Sequence, residues 1–399
     1  MKKPFERVLL HVGAPKTGTT SLQHFLVCNQ AALRTRAFYV PSALRRGAQH
    51  IDLPLLFGPR RENLERLTGA RNGSIEEQRE FVANAFATEI ARVGGADTLS
   101  ISSEHLFGSN PSAIDAYRRF FEPYAERFES LMYLRRQDRW IASSVLQRRK
   151  GSASADTRFR VAGSPRSFEQ VIRRWDAGSD RCHIRRFDAE HLFGGSLLKD
   201  FCGVIGCNEA GLNMEDVFNR ALLQEQLELV DALNGALAAI PFDKQIAYRS
   251  RFLPLCTEVL GGSPFEFPRA AAQAAFDGFA PLNTWLRETR DPGGPAFFFN
   301  DDFSDYPIEA SNDRAYTIEQ LLELSAAIGE RLGQRDLDVP TGPGGAARGA
   351  VVAHIVSSFI ALHDSEVEQA RAARRSAAIE ERRRARSLER ALSSAPAPD

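Results

Sequence analysis

The sequence lacks an excess of charge of either sign, since 51 Lys and Arg residues balance 51 Asp and Glu residues in a chain of 399. Many nucleic-acid-binding proteins carry a global basic field, so this balance argues against a nucleic-acid partner. The N-terminal segment also lacks a long hydrophobic run, and its apolar stretch is too short for a signal peptide or a membrane span. We therefore expect a cytoplasmic protein with no transmembrane segment.

Disulfide and zinc-site patterns are missing as well. The five cysteines are odd in number, scattered and without a CxxC pair, which indicates reduced thiols rather than a disulfide framework. No grouping of His, Cys and Glu has the spacing of a zinc site, so we expect no metal requirement. Three acids in the segment 297–307, Asp301, Asp302 and Asp305, suit a cation, but a solvated loop is the simpler interpretation.

The first half of the chain alternates between short apolar runs and helical patterns. Four runs are typical of buried strands: Arg7–Val12, Thr98–Ser102, Ser130–Leu134 and Cys182–Phe187. Strands that alternate with helices imply a mostly parallel sheet, with its ligands at the carboxyl ends of the strands. We expect an α/β fold, a P-loop-like parallel sheet flanked by helices, with a mainly helical C-terminal part and a charged helical tail.

The pattern changes twice along the chain, which gives three ranges. Residues 1–210 form the expected catalytic core. Residues 211–340 are helical and loop-rich, and we expect them to complete the same domain on its substrate side. Residues 341–399 comprise a Pro- and Gly-rich linker, a short apolar helix and a polar helix over residues 366–390 that is dense in Ala, Arg and Glu, with few apolar anchors. This tail is the surface through which we would expect a homo-oligomer to form.

The most informative segment directly follows the first predicted strand. Gly13 to Ser21 reads GAPKTGTTS and leads into a helical pattern. The free amides at the start of a helix bind anions, Gly18 lets the backbone approach a ligand closely, and Lys16 adds a full positive charge. Because the lysine precedes the second glycine, the spacing is not that of the nucleotide triphosphatase loop, GxxxxGK[ST]. The alternative is a turn before a helix that Thr19 or Thr20 caps.

A second segment with arginines and serines follows the third predicted strand. Residues 133–147 read YLRRQDRWIASSVLQ, with two arginines at the strand end and two serines about two helical turns later. An arginine fork and a serine hydroxyl together suit a phosphate monoester. Arg135 with Ser143 and Arg136 with Ser144 have the same spacing, and we favour the first pair.

Residues 15–20, PKTGTT, resemble the 5′-phosphosulfate loop of sulfotransferases that use 3′-phosphoadenosine 5′-phosphosulfate (PAPS), in particular the bacterial carbohydrate type. The family loop reads PK[ST]GTT, and an arginine at a later strand end is followed by a serine, as are Arg135 and Ser143 here. The segment 181–207 is similar to the family's late strand and closing helix. The resemblance covers residues 6–210 and implies a PAPS-binding core whose product is adenosine 3′,5′-bisphosphate. It implies that PAPS is bound by Pro15, Lys16, Thr17, Gly18, Thr19, Thr20, Arg135 and Ser143.

The resemblance also implies sulfuryl transfer to a hydroxyl acceptor, which we expect to be a carbohydrate or glycolipid, or else a small metabolite. Lys16 would balance the charge on the leaving phosphate oxygen, and a histidine or carboxylate would take the acceptor's proton. Glu104, our first candidate for this base, and His105 lie together at the end of a predicted strand. His50 is a further candidate, because relatives that act on carbohydrates draw their base from the corresponding stretch.

Two other functions fit parts of the sequence. A P-loop kinase or triphosphatase would need magnesium and an acidic strand end, whereas the strand ends here read SSEH and YLRRQD. A non-catalytic scaffold would keep the nucleotide-binding fold and assemble through its charged tail. The presence of Lys16, Thr19 and Thr20 argues against a decayed site.

Overall fold

The computed structural model describes residues 2–57, 74–151, 165–215, 221–293, 298–333 and 345–393, and for residues 378–393 it describes the backbone alone. The chain divides into two compact units. The sheet unit comprises Met1–Val145, Arg158–Asn219 and Phe267–Ala310, and the helical unit comprises Leu146–Thr157, Arg220–Glu266 and Ser311–Asp399. This division differs from the three consecutive ranges expected from the sequence, because residues 267–310 belong with the sheet.

A five-stranded parallel sheet is the centre of the sheet unit, in the order β2-β3-β1-β4-β5. Its strands are β1 (Phe5–Val12), β2 (Phe38–Tyr39), β3 (Thr98–Ser103), β4 (Ala125–Leu134) and β5 (Arg181–Arg186). Each neighbouring pair of strands is parallel, which confirms the predicted α/β class. All four predicted strands are present. The edge strand β2 has no counterpart in the prediction, because two residues are too few to show a periodic pattern.

The central strand β1 places the site at one edge of the sheet. Residues 8–12 are all buried, since helices cover both faces of a parallel sheet, and this explains a continuous apolar run in place of alternation. Val12 pairs with Ser103 of β3, and His11 pairs with Leu131 of β4. The carboxyl ends of these three strands therefore reach the same edge, where the chain enters the segments singled out in the sequence.

Helices connect the strands and cover the sheet. Those that begin in the sheet unit are α1 (Thr19–Cys28), α2 (Gln30–Arg34), α3 (Asp52–Phe57), α4 (Ile75–Ile90), α5 (Pro111–Phe121), α6 (Gln137–Gly151), α7 (Pro165–Gly178), α8 (Leu197–Ile205), α11 (Arg269–Asp277) and α12 (Ala280–Arg290). One hydrophobic cluster joins Leu9 and Leu131 of the sheet to Phe25 of α1 and Phe201 of α8. This layer supports the start of α1, where the Lys16 segment lies.

The helical unit contains α9 (Leu227–Ala236), α10 (Phe242–Leu260), α13 (Ile318–Arg331) and α14 (Gly345–Ser393). The mainly helical C-terminal part is therefore confirmed. Val352, Val356 and Phe359 follow the spacing of one helix face, and all three are buried in the core of this unit. Arg348 pairs with Glu228 and donates to the carbonyl oxygen of Tyr316, which ties the start of α14 to the same unit.

Among the described residues, one stretch is long and apolar enough to cross a membrane: Arg348–Ala377, whose most apolar 18 residues have a mean hydropathy of 1.2. The buried side chains of α14 account for much of this apolarity by packing within the helical unit. The expectation of no transmembrane segment stays a prediction.

Candidate functional site

The segment between β1 and α1, residues 13–18, folds as a tight loop that we call the Lys16 loop. The Gly13 amide donates to the Ser103 carbonyl oxygen over 3.2 Å, which ties the loop to the end of β3. A Cβ at Gly13 would lie 2.6 Å from the Thr19 side chain, so only glycine fits there. Gly18 has φ 74°, and Lys16 has φ 67° although it carries a side chain. Such backbone strain in a non-glycine residue is concentrated at functional sites in proteins.

The amino end of α1 presents backbone amides without a side-chain cap. Helix α1 begins at Thr19, and its N-cap residue is Gly18, which makes no side-chain cap hydrogen bond. The Thr19 hydroxyl is buried and lies 3.5 Å from the Ala14 carbonyl oxygen, whereas Thr20 is exposed. The alternative role of Thr19 or Thr20 as a helix cap is therefore not observed. Uncapped amides and the positive end of the helix dipole suit an anion.

Arg135 brings the second predicted segment to the Lys16 loop. It follows the last residue of β4, and its Nη1 donates to the Lys16 carbonyl oxygen over 3.3 Å. Its guanidinium also lies over the Phe187 ring, 5.9 Å from the centroid. The two segments that the sequence suggested for the two ends of one nucleotide therefore lie at the same edge of the sheet.

The electrostatic setting of the Lys16 loop is basic and partly shielded from water. Burial lowers the pKa of Lys16, the nearby Arg135 lowers it further, and the Glu104 carboxylate opposes both. Burial and the adjacent Arg139 likewise lower the pKa of Arg135. Desolvation and mutual repulsion destabilise these two cations. An anion that binds between them therefore stabilises them more than it would stabilise exposed cations.

Arg136 has a different environment from Arg135. Its Nε and Nη2 both donate to Asp138 at 2.8 Å, in a fork whose acceptor side chain is fully buried. Its Nη1 donates to the Asp302 carbonyl oxygen at 2.7 Å and to the Asn300 side chain. The nitrogens of Arg136 therefore bind other parts of the chain, and it is Arg135 that contacts the Lys16 loop.

The segment 298–307, which we call the acidic loop, docks on the start of α6. Tyr306 donates to Asp138 over 2.7 Å, and Asp305 pairs with Arg139. The rings of Phe303 and Tyr306 are buried, while the carboxylates at 301, 302 and 305 belong to exposed residues. The three acids are therefore exposed as expected, while the aromatic side chains between them are buried and Arg136, Asp138 and Arg139 bind the loop to the sheet unit.

Ser143 and Ser144 lie on α6, about two turns after Arg135. Both are partly buried, and neither hydroxyl makes a hydrogen bond with the residues that the structure describes. Both serines lie on the helix that follows the strand end, as predicted, but no hydrogen bond joins either of them to Arg135 in the described part of the chain.

The three candidate bases have different surroundings. Glu104 is exposed in the turn after β3, and it is close enough to Lys16 to influence the pKa of that side chain. His105 follows it and is also exposed, with its amide donating to the Ser103 hydroxyl. His50 is buried, its Nδ1 accepts from the Ser102 amide at 3.0 Å, and its Nε2 donates to the Pro41 carbonyl oxygen at 3.0 Å. Glu104 is the better placed of these, because both ring nitrogens of His50 are engaged.

His11 is a residue of this region that the sequence did not single out. It lies one residue before the end of β1, is 1% exposed, and its Nδ1 lies 2.8 Å from the Ser102 hydroxyl oxygen. Burial lowers its pKa to about 3, and its Nε2 has no hydrogen-bond partner among the described residues. The run RVLLHV carries no signal for this, because a histidine in a buried strand looks like any other core position.

Other concave or ligand-like features lie elsewhere in the sheet unit. A cavity of about 640 Å³ includes Arg34, Tyr39 and Phe81 in its lining, and another of about 590 Å³ lies between α5 and α7. Within the described part of the chain, a single acidic and histidine group has the spacing of a metal site: Asp188, Glu190 and His191. Neither cavity is lined by the Lys16 loop.

Comparison of the chain with family models, curated proteins and solved structures finds no match in any of the three.

Proposed function

We propose that this chain is a sulfotransferase that moves the sulfuryl group of PAPS to a hydroxyl acceptor, and that the Lys16 loop is a P-loop for the 5′-phosphosulfate. The observation that carries the proposal is the hydrogen bond from Arg135 to the backbone of Lys16. It puts a cation that suits a 3′-phosphate beside a loop that suits a 5′-phosphosulfate. One nucleotide with anionic groups at both ends matches that arrangement.

The nucleotide-binding roles follow from the chemistry of each group. Pro15 to Gly18 and the amides of Thr19 and Thr20 surround the 5′ phosphosulfate, with the Thr20 hydroxyl as an exposed donor. The Arg135 guanidinium binds the 3′-phosphate, and Ser143 on α6 adds a hydroxyl. Ser144 is the alternative serine, whereas Arg136 is not proposed for this role because two of its nitrogens bind Asp138.

In the transfer step, the bond between sulfur and the 5′-phosphate oxygen breaks and a bond from sulfur to the acceptor oxygen forms. Adenosine 3′,5′-bisphosphate leaves with the electron pair of the broken bond. Lys16 donates to the oxygen on which negative charge develops, and its partly buried position strengthens that interaction. Orientation of the two substrates in line supplies a further part of the rate.

The acceptor's proton goes to Glu104 in this proposal. The carboxylate is exposed at the strand end next to Lys16, so an acceptor hydroxyl can reach it, and His105 from the same turn is the alternative base. His50 is not proposed as a base, because its ring nitrogens bind the Ser102 amide and the Pro41 carbonyl oxygen. A carbohydrate or glycolipid acceptor, a cytoplasmic location, no metal and a tail-mediated homo-oligomer remain part of the proposal.

A P-loop kinase is the second candidate, because a lysine loop before a helix also suits a nucleoside triphosphate. Adenosine 3′,5′-bisphosphate and ATP with magnesium, each added to the purified full chain, distinguish the two in a melting experiment. We expect the bisphosphate to raise the melting temperature by several degrees, and ATP with magnesium to raise it less. Stabilisation by ATP with magnesium alone would support the kinase and contradict the sulfotransferase. No stabilisation by either nucleotide would favour the scaffold.

A further inference from the structure

A second pair of neighbouring arginines, Arg45 and Arg46, lies in the segment that follows β2. Arg46 is paired: its Nε donates to the buried Asp52 carboxylate over 2.6 Å. Arg45 is only partly buried, yet its Nη1 is closed off from water and has no hydrogen-bond partner among the described residues. Leaving a charged donor buried and unpaired costs free energy, so such a group indicates a missing partner.

A tight turn fixes Arg45 in this position. The backbones of Arg46 and Gln49 hydrogen-bond to each other, and Gly47 between them has φ 60°. Arg45 and His50 are the next residues outward on either side of this turn, and the Arg45 charge adds to burial, the larger cause, in lowering the pKa of His50. The backbone of Arg45 is held in place by this turn and by its own amide, which donates to the Ser42 carbonyl oxygen over 3.1 Å.

The same turn is attached to the strand that ends at Glu104. The His50 amide donates to the Ser102 carbonyl oxygen over 2.8 Å, and the Ser102 amide donates to the His50 ring. Ser102 precedes the proposed base Glu104 by two residues on the same strand. Arg45 thus lies on the β2 side of the proposed acceptor position, while the nucleotide-binding Arg135 lies on the β4 side.

We propose that Arg45 binds an acidic group on the acceptor, so that the preferred substrate is a hydroxyl compound that carries a carboxylate or a sulfate ester. This inference rests on the proposed function for the role of Glu104. A guanidinium recognises either acidic group through paired N–H donors, whereas a neutral acceptor would leave Nη1 unpaired. Acceptor preference is thereby set by a residue that takes no part in the transfer step.

Three matched probes test the proposal: p-nitrophenyl β-glucuronide, p-nitrophenyl β-glucoside and the 6-sulfate of the glucoside. Binding of each to the full chain is measured by calorimetry at fixed ionic strength, with adenosine 3′,5′-bisphosphate present. We expect at least one acidic probe to bind about tenfold more tightly than the neutral glucoside. The comparison between the two acidic probes shows which anion fits. Equal binding of all three probes, or binding of none, overturns the proposal.

Variants test whether Arg45 causes the preference for acidic probes. Arg45→Gln should remove the tenfold preference, and Arg45→Lys should keep part of it because the charge remains. Arg181→Gln is the matched control, since it removes an exposed arginine at the amino end of β5, at the opposite edge of the sheet from β2. A preference that survives in Arg45→Gln contradicts the assignment.

Stability and nucleotide binding separate this proposal from the proposed function. Arg45→Gln should not lower the melting temperature, because the Nη1 donor that it removes is unpaired. The bisphosphate should bind Arg45→Gln as it binds the unaltered chain. Loss of bisphosphate binding in all variants would refute the sulfotransferase, while an acidic preference that depends on Arg45 would still stand.

Discussion

In two pairs of adjacent arginines, one arginine binds a buried acid and its neighbour does not. Arg136 is held by the buried Asp138 and Arg46 by the buried Asp52, so these two stabilise the fold. Arg135 donates to the Lys16 carbonyl oxygen and forms no ion pair with the residues that the structure describes, and the Nη1 of Arg45 is unpaired. The sequence favoured Arg135 only through the resemblance, because the position of the buried acid that binds Arg136 is a property of the folded chain.

The backbone conformation of Lys16 permits a sharp test of its side chain. Lys16→Gly removes the ammonium and also relieves the φ of 67°, whereas Lys16→Ala removes the ammonium and keeps the strain. We expect the glycine variant to be more stable than the alanine variant by up to about 1 kcal/mol, and not less stable. Both should lose turnover on the order of 100-fold in a radiolabelled sulfate assay. A glycine variant with normal turnover would exclude Lys16 from the chemistry.

The buried Asp138 should be far more sensitive than its partner Tyr306. Asp138→Asn leaves the Arg136 guanidinium without its counter-charge. We expect the free energy of unfolding, measured in urea, to fall by roughly 3 to 5 kcal/mol. Tyr306→Phe removes one hydrogen bond from the same carboxylate and should cost about 1 kcal/mol. Similar losses in the two variants would mean that the acidic loop, rather than the Arg136 fork, carries the stability.

At the scale of elements, the segment that ends in His50 extends the pairing of β3 beyond the short strand β2. His50 is bound through its ring and its amide to Ser102, and burial lowers the pKa of the ring to about 4. The ring must therefore stay neutral for this segment to remain attached to β3. Acid should detach it before the rest of the sheet is affected.

The stability of the protein should fall as the pH drops below 6.5. The unfolded chain binds a proton on His50 near pH 6.5, whereas the native chain binds it near pH 4, so the loss builds up between these values. His50 alone should contribute about 2 kcal/mol of that loss between pH 7.5 and pH 5. Urea unfolding at both pH values measures this change in the free energy of unfolding. The change should be smaller in His50→Asn than in the unaltered chain. Equal differences in the two proteins would contradict the role of His50.

The strands that the sequence predicts are those with buried apolar runs, such as β1 and β3, because burial on both faces leaves a clear pattern. The Lys16 loop was also predictable, since its strand, glycines and helix lie next to one another in the chain. The docking of the acidic loop was not, because the hydrogen bond from Arg136 to the Asp302 carbonyl oxygen joins residues that only the fold brings together. The unpaired Nη1 of Arg45 was equally hidden, since pairing is a property of the folded chain.

At the scale of the molecule, the chain crosses between its two units more than once. Residues 267–310 return to the sheet unit after the chain has entered the helical unit, and their buried Asn283 exchanges amide hydrogen bonds with Gln137 of α6. The sequence pattern cannot show such a return, because the residues on both sides of it are helical.

The charged tail tests the expectation of a homo-oligomer. Among the side chains of α14 that the structure describes, those up to residue 377, the last buried ones are Leu362 and His363, and we expect removal of residues 378–399 to leave the melting temperature unchanged. If the tail mediates assembly, the full chain sediments as an oligomer and the shortened chain as a monomer. Equal mass in the two forms would exclude the tail as the contact.

Nucleotide binding by the full chain and by Arg135→Gln tests most directly whether the Lys16 loop and Arg135 share one ligand. Calorimetry with adenosine 3′,5′-bisphosphate and with adenosine 5′-monophosphate gives four dissociation constants. We expect the full chain to bind the bisphosphate at least tenfold more tightly than the monophosphate, and Arg135→Gln to bind the two alike. Equal affinities in the full chain, or a preference that Arg135→Gln retains, would contradict the account.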